Sequence, residues 1–107
     1  MNDEKKVLAL LGIAKKAGKV ISGTDMVTES IRSQSRSSAK LVLLASDASQ
    51  NTKKRINNTA GYYKVPIISL GTDKAELARL TGHASELSVI GITDDGFASA
   101  MQKTKEN

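Results

Sequence analysis

Four short apolar runs, KVIS, KLVLLA, VPIISL and LSVIGIT, are each followed by a stretch whose apolar residues recur three or four apart. The two patterns do not interchange, because a strand turns its side chains every second residue and a helix every 3.6. A chain built this way alternates strand and helix. Right-handed crossovers then lay helices on both faces of the sheet. The expected fold is α/β: a three-layer α/β/α sandwich around a short, mixed and mostly parallel four-stranded sheet. At 107 residues there is room for one core, so residues 1–107 read as a single domain.

The element boundaries follow from local chemistry. Val7, Leu8, Leu11 and Ala14 hold helical spacing between Asp3 and Glu4 at one end and Lys15, Lys16 and Gly18 at the other, so a helix is expected over about 3–17. KVIS is long enough only for a short strand. Ser22, with Asp25 three residues on, has the form of a capping box opening a second helix with Val27 and Ile31 on its inner side. The unbroken apolar run in KLVLLA predicts a strand covered on both faces. SDAS opens a third helix with Thr52, Ile56 and Ala60 inward and Lys53, Lys54 and Arg55 on its other sides. Pro66 places its strand at an edge or stands before the ladder. Thr72 and Asp73 open a helix carrying Leu77 and Leu80, and Phe97 and Met101 mark the last one.

Several functions are excluded early. With no cysteine there is no disulfide, zinc-thiolate site or cysteine nucleophile. The N-terminus does not read as a signal peptide and no apolar run approaches the roughly 20 residues of a membrane helix, so a cytoplasmic protein without membrane association is expected. Gly12, Gly18 and Lys19 imitate a phosphate-binding loop, but five residues separate the glycines and Val20 stands where a hydroxyl should follow the lysine. The stretch also ends a helix instead of opening one. His83, the sole histidine, lies in the polar loop TGHASE without a partner motif, and Asp94 and Asp95 are acids at the start of a helix. No enzyme, cofactor or metal is expected.

Charge is the positive signal. Sixteen Lys and Arg oppose eleven Asp and Glu, a net charge of +5. The excess is confined to residues 1–64, which carry twelve bases and five acids. That asymmetry points to a polyanion. The N-terminus of helix two, at Ser22, Gly23, Thr24 and Asp25, would present unpaired N–H groups and the positive end of the helix dipole. Gly23 would let a nucleic-acid backbone approach, Thr24 would donate to it, and Lys15, Lys16, Lys19, Arg32 and Arg36 would line a groove around it. With one Phe, two Tyr and no Trp, a folded RNA is expected before a single strand.

GTDMVTESI followed by AKLVLLASDAS resembles the signature of the kink-turn-binding ribosomal-protein superfamily, in which Gly-Thr-Asn-Glu-Val-Thr-Lys opens helix two and an Ala-x-Asp turn follows the central strand. AGKVISG, AKLVLLASDASQNTKKRI, YYKVP and DDGFA are similar to its bacterial YlxQ-type members. The resemblance implies the α/β/α sandwich and recognition of RNA in which tandem sheared G·A pairs adjoin a sharp kink. Gly23, Thr24, Val27 and Thr28 match the signature, while Asp25, Met26 and Glu29 replace its Asn, Glu and Lys. Those three positions are the guanine readers implied by the resemblance. Asp25 lacks the amide donor, Met26 cannot bond a guanine edge, and Glu29 repels phosphate. His83 and Ala84 stand where the superfamily presses apolar residues against the kink. The resulting expectation is a monomer that binds structured RNA, ribosomal RNA or the ribosome, with weakened recognition of an ordinary kink-turn. A second reading, a protein-interaction module that keeps the fold without the RNA site, stays open.

Overall fold

The computed structural model describes residues 3–106. Helices and strands alternate along the chain: α1 (Asp3–Lys16), β1 (Val20–Ser22), α2 (Thr24–Ser33), β2 (Leu41–Leu44), α3 (Gln50–Tyr62), β3 (Ile67–Ser69), α4 (Lys74–Thr81), β4 (Val89–Ile92) and α5 (Asp95–Glu106). The sheet order is β1-β4-β2-β3.

The apolar runs are buried on both sides, as their composition requires. Leu41 and Leu43 of β2 and Ile90 and Ile92 of β4 face a core closed by Val7 and Leu11 of α1, Leu77 of α4 and Met101 of α5. Val42, Leu44 and Val89 face the other way, against Val27 and Ile31 of α2 and Ile56 and Ala60 of α3. This is the three-layer sandwich, with α1, α4 and α5 on one face and α2 and α3 on the other. Pro66 precedes edge strand β3, where its carbonyl accepts a hydrogen bond from the Val42 N–H at 2.9 Å.

The balance within the sheet differs from the expected mostly parallel one. β2 and β3 pair in parallel, but β4 lies between β1 and β2 and is antiparallel to both. The cause is the return loop 82–88. After α4 ends at Gly82, the chain runs back along the helix until the Leu87 N–H donates to the Lys74 carbonyl at 3.2 Å. β4 therefore starts at the end of the sheet where β3 stopped, and must run the opposite way.

Three helices begin at that same end, which holds the carboxyl ends of β1, β2 and β3. Ser49 caps α3, its hydroxyl accepting from the Thr52 N–H at 3.1 Å, and Asp73 caps α4, accepting from the Glu76 N–H at 2.9 Å. Asp73→Ala is expected to lower stability by about 1 kcal/mol, the usual cost of a lost carboxylate cap, measurable as a shift in the urea midpoint at constant slope.

Candidate nucleic-acid interface

The start of α2 is built differently from the other two. Ser22 is still in the β1 ladder, opposite Ile90, and cannot cap the helix as the capping-box spacing predicts. Gly23 takes the cap position with φ 101°, a conformation that side-chain-bearing residues rarely adopt, and its N–H donates to the Val89 carbonyl at 2.9 Å. Gly23 supplies no side-chain cap, so this helix end offers its N–H groups and positive dipole outward. α2 is seated tightly on β4 here. A Cβ at Gly91 would lie 3.1 Å from the Ala39 Cβ and 3.3 Å from a Val27 methyl.

Around this helix end the sequence-chosen residues separate into three groups. Thr24 is partly exposed, and Asp25, Met26 and Glu29 are exposed or nearly so, Met26 to 62%. All four are accessible to a ligand at the first turns of α2. Thr28 is fully buried, its hydroxyl donating at 3.0 Å to the carbonyls of Thr24 and Asp25, so it shapes the helix and cannot touch a ligand on the surface. His83 and Ala84 are exposed at the α4 end of the return loop, whose other end enters β4 beside Gly23. Lys74 and Glu86 clamp that loop with a 3.5 Å ion pair.

The third group is misplaced by sequence proximity. Lys19 lies across β1 from Gly23, about 13 Å of strand away, where its carbonyl accepts from the Thr93 N–H. Lys15 and Lys16 end α1 beside it. Arg32 is in the last turn of α2, some 12 Å along the helix from Thr24, and Arg36 follows in the connection to β2. All five sit at or toward the amino ends of the parallel-running strands. They do not form one groove with the α2 start, because β1 and α2 each carry the chain from one end of the sheet to the other.

The base that does stand there is one the sequence leaves on the outer side of α3. Arg55 reaches across to α2 and pairs with Asp25 at 2.7 Å, while a second guanidinium nitrogen lies 3.4 Å from the Thr28 hydroxyl. Its side chain remains 47% exposed. The pairing joins residues thirty positions apart, which no local motif reveals. The available signal is that Arg55 precedes buried Ile56 and lies three residues after Thr52, on the flank of α3 nearest α2. Arg55 partly offsets the Asp25 charge and leaves guanidinium donors at the helix end. On α4, a side-chain hydrogen bond from Arg79 holds the Glu76 carboxyl below the ordinary carboxylate range, but both groups are at the surface and outside this site.

Similarity to known proteins extends over most of the chain. Residues 5–102 match the ribosomal protein L7Ae/L30e/S12e/Gadd45 family. The chain belongs to that family. It is 39% identical over 104 residues to an Enterococcus faecium protein named RNA-binding protein YlxQ, covering 97% of this chain and 92% of that one. It is 44% identical over 92 residues to the Bacillus subtilis (strain 168) protein of the same name, covering 86% and 87%. A Bacillus halodurans C protein of unknown function superposes with a TM-score of 0.85 at 31% identity, covering 95% and 98% of the two chains. The Giardia lamblia 15.5kD RNA binding protein shares the fold at 16% identity, with a TM-score of 0.75 over 95% of this chain and 83% of that one. Neither the family description nor these names denotes an enzyme. Among the described residues no group of three or more His, Cys, Asp and Glu could hold a metal, and no helix is long and apolar enough to cross a membrane.

Proposed function

We propose that this chain is an RNA-binding protein of the L7Ae type that takes a folded RNA, ribosomal RNA first among the candidates, at the N-terminus of α2. The observation that supports this reading most is the open α2 start, with Gly23 in place of a side-chain cap and the Arg55 guanidinium beside it. Donors fixed on a helix end and a base held by an ion pair suit phosphate and base edges together. The two relatives named RNA-binding proteins match over most of the chain and carry the same inference. Work on ribosomal RNA would set the protein in the cytoplasm, and it acts as a monomer in this reading.

The finer recognition departs from the ordinary kink-turn pattern. Asp25, Met26 and Glu29 put a carboxylate, a thioether and a second carboxylate on the turns where a guanine would dock. Standard kink-turn RNA should bind weakly and a variant fold should bind better. A protein-interaction module is the second reading, favoured by the exposure of Met26.

Salt dependence separates the two. With about four to six phosphate contacts, affinity for ribosomal RNA fragments should fall with salt at a log-log slope of roughly −3 to −5, because each contact releases a little under one counterion. A salt-independent interaction, or none at low salt, overturns the RNA reading and favours the module.

A further inference from the structure

We infer a second nucleic-acid contact at the opposite end of the sheet: a cationic groove that takes an unpaired RNA strand, with a base stacked on Tyr62 and its phosphates on Lys40, Lys64 and Arg32. This contact has the same class of partner as the α2 start and uses none of the residues placed there.

The topology assembles this end from segments far apart in sequence. Lys19 and Lys40 stand just before β1 and β2, on either side of the last residues of β4: the Lys40 N–H donates to the Ile92 carbonyl at 2.7 Å, and the Thr93 N–H donates to the Lys19 carbonyl at 3.0 Å. α2 brings Arg32, its connection to β2 brings Arg36, and the end of α3 brings Tyr62, Tyr63 and Lys64. A groove of about 370 Å³ runs between the 34–40 connection and the α3 end, with Lys40 and Lys64 among its walls. A second hollow of about 310 Å³ holds Arg32 and Tyr62, and Tyr63 lines both. The two hollows share Tyr63 as a wall, which sets Arg32 and Tyr62 on one side of it and Lys40 and Lys64 on the other.

Three properties fit a nucleic-acid strand. Lys19, Arg32, Arg36, Lys40 and Lys64 have no carboxylate partner among the described residues, whereas Arg55, Lys74 and Arg79 are each ion-paired. Among the described residues Asp95 is the one acid lining the groove, and the neighbouring Asp94 is occupied in accepting from the Phe97 N–H at 3.0 Å. Tyr62 is 80% exposed and is braced by Tyr63 edge-on, with ring centroids 4.8 Å apart and planes at 78°. An aromatic ring held this way among cations is a platform for an unpaired base, and a duplex, whose bases are already stacked, cannot use it.

The two tyrosines are the only ones in the chain and there is no tryptophan, so near-ultraviolet emission reports on this groove alone. The probe is a short 5′-labelled oligouridylate, followed by anisotropy of the label and by tyrosine emission. Wild type should bind with quenching of tyrosine. Tyr62→Ala should weaken binding about ten-fold while Tyr62→Phe retains it, in line with the loss of one stacked base. Lys40→Ala with Lys64→Gly should weaken it similarly and make the salt slope shallower by about 1.4, the single-strand value for two phosphate contacts. Glycine is chosen because Lys64 has φ 60°, so the variant keeps the fold. Arg79→Ala, on the α4 surface away from both sites, should leave oligouridylate binding unchanged. No binding, binding without quenching, or wild-type affinity in the Tyr62→Ala and lysine variants overturns the groove. A folded ribosomal RNA that binds normally to the Tyr62→Ala and lysine variants keeps the α2 reading intact, while a wild-type protein that binds oligouridylate but no folded ribosomal RNA overturns that reading alone.

Discussion

Asp25→Asn, Met26→Glu and Glu29→Lys in one chain should raise affinity for a standard kink-turn RNA by several powers of ten. Each regained hydrogen-bonded base contact is worth about 1 to 3 kcal/mol, and three such contacts on one helix end act together. The fold should not resist the change. None of Asp25, Met26 and Glu29 is buried, so the three replacements neither open a cavity nor bury a charge. Asp25→Asn does break the ion pair with Arg55, and surface pairs of this kind contribute about 0 to 1 kcal/mol. The melting temperature of the triple variant should accordingly stay close to that of wild type. A control RNA with its G·A pairs replaced should not gain. Tight wild-type binding that depends on those pairs would show that the three residues are no obstacle. A stable triple variant that ignores the motif would instead place the missing recognition in the return loop around His83 or in the surrounding basic residues.

The layers and the core of this fold are legible in the sequence because they rest on periodicity. Val7, Leu11 and Ala14 are buried as their spacing requires, and KLVLLA is covered on both faces because all four residues of β2 are apolar. What periodicity does not carry is strand direction. TGHASE reads as a plain loop, yet its length brings the chain back to the start of α4 and so reverses β4. The same limit governs the site. Lys19 and Gly23 are neighbours in the chain but are divided by β1, while Asp25 and Arg55 are thirty residues apart and touch. Local motifs located the α2 start. They misassigned its cap, because a serine in capping position is not free to cap while its backbone is held in a ladder opposite Ile90. Charge counted along the chain also merges two surfaces that the fold sets at opposite ends.

Arg55 and Asp25 should have opposite effects on binding of the folded RNA, and their combination tells what Arg55 does. Arg55→Ala removes a charged donor and exposes an unbalanced carboxylate at the helix end, so affinity should fall by about 1.5 to 3 kcal/mol, the range for hydrogen bonds to charged groups. Asp25→Asn removes the carboxylate and releases the guanidinium, so affinity should rise. The double variant separates two roles. If Arg55 serves only to cancel Asp25, its removal costs nothing once residue 25 is neutral. If the guanidinium itself meets the RNA, most of the cost persists in the Asp25→Asn background, and the coupling between the two positions is the smaller term. The geometry favours the second outcome: one guanidinium nitrogen is taken by Asp25, another makes only a long 3.4 Å contact with Thr28, and about half of the side chain stays open to solvent. Equal affinities across all four proteins, measured at one fixed ionic strength, would remove Arg55 from the interface.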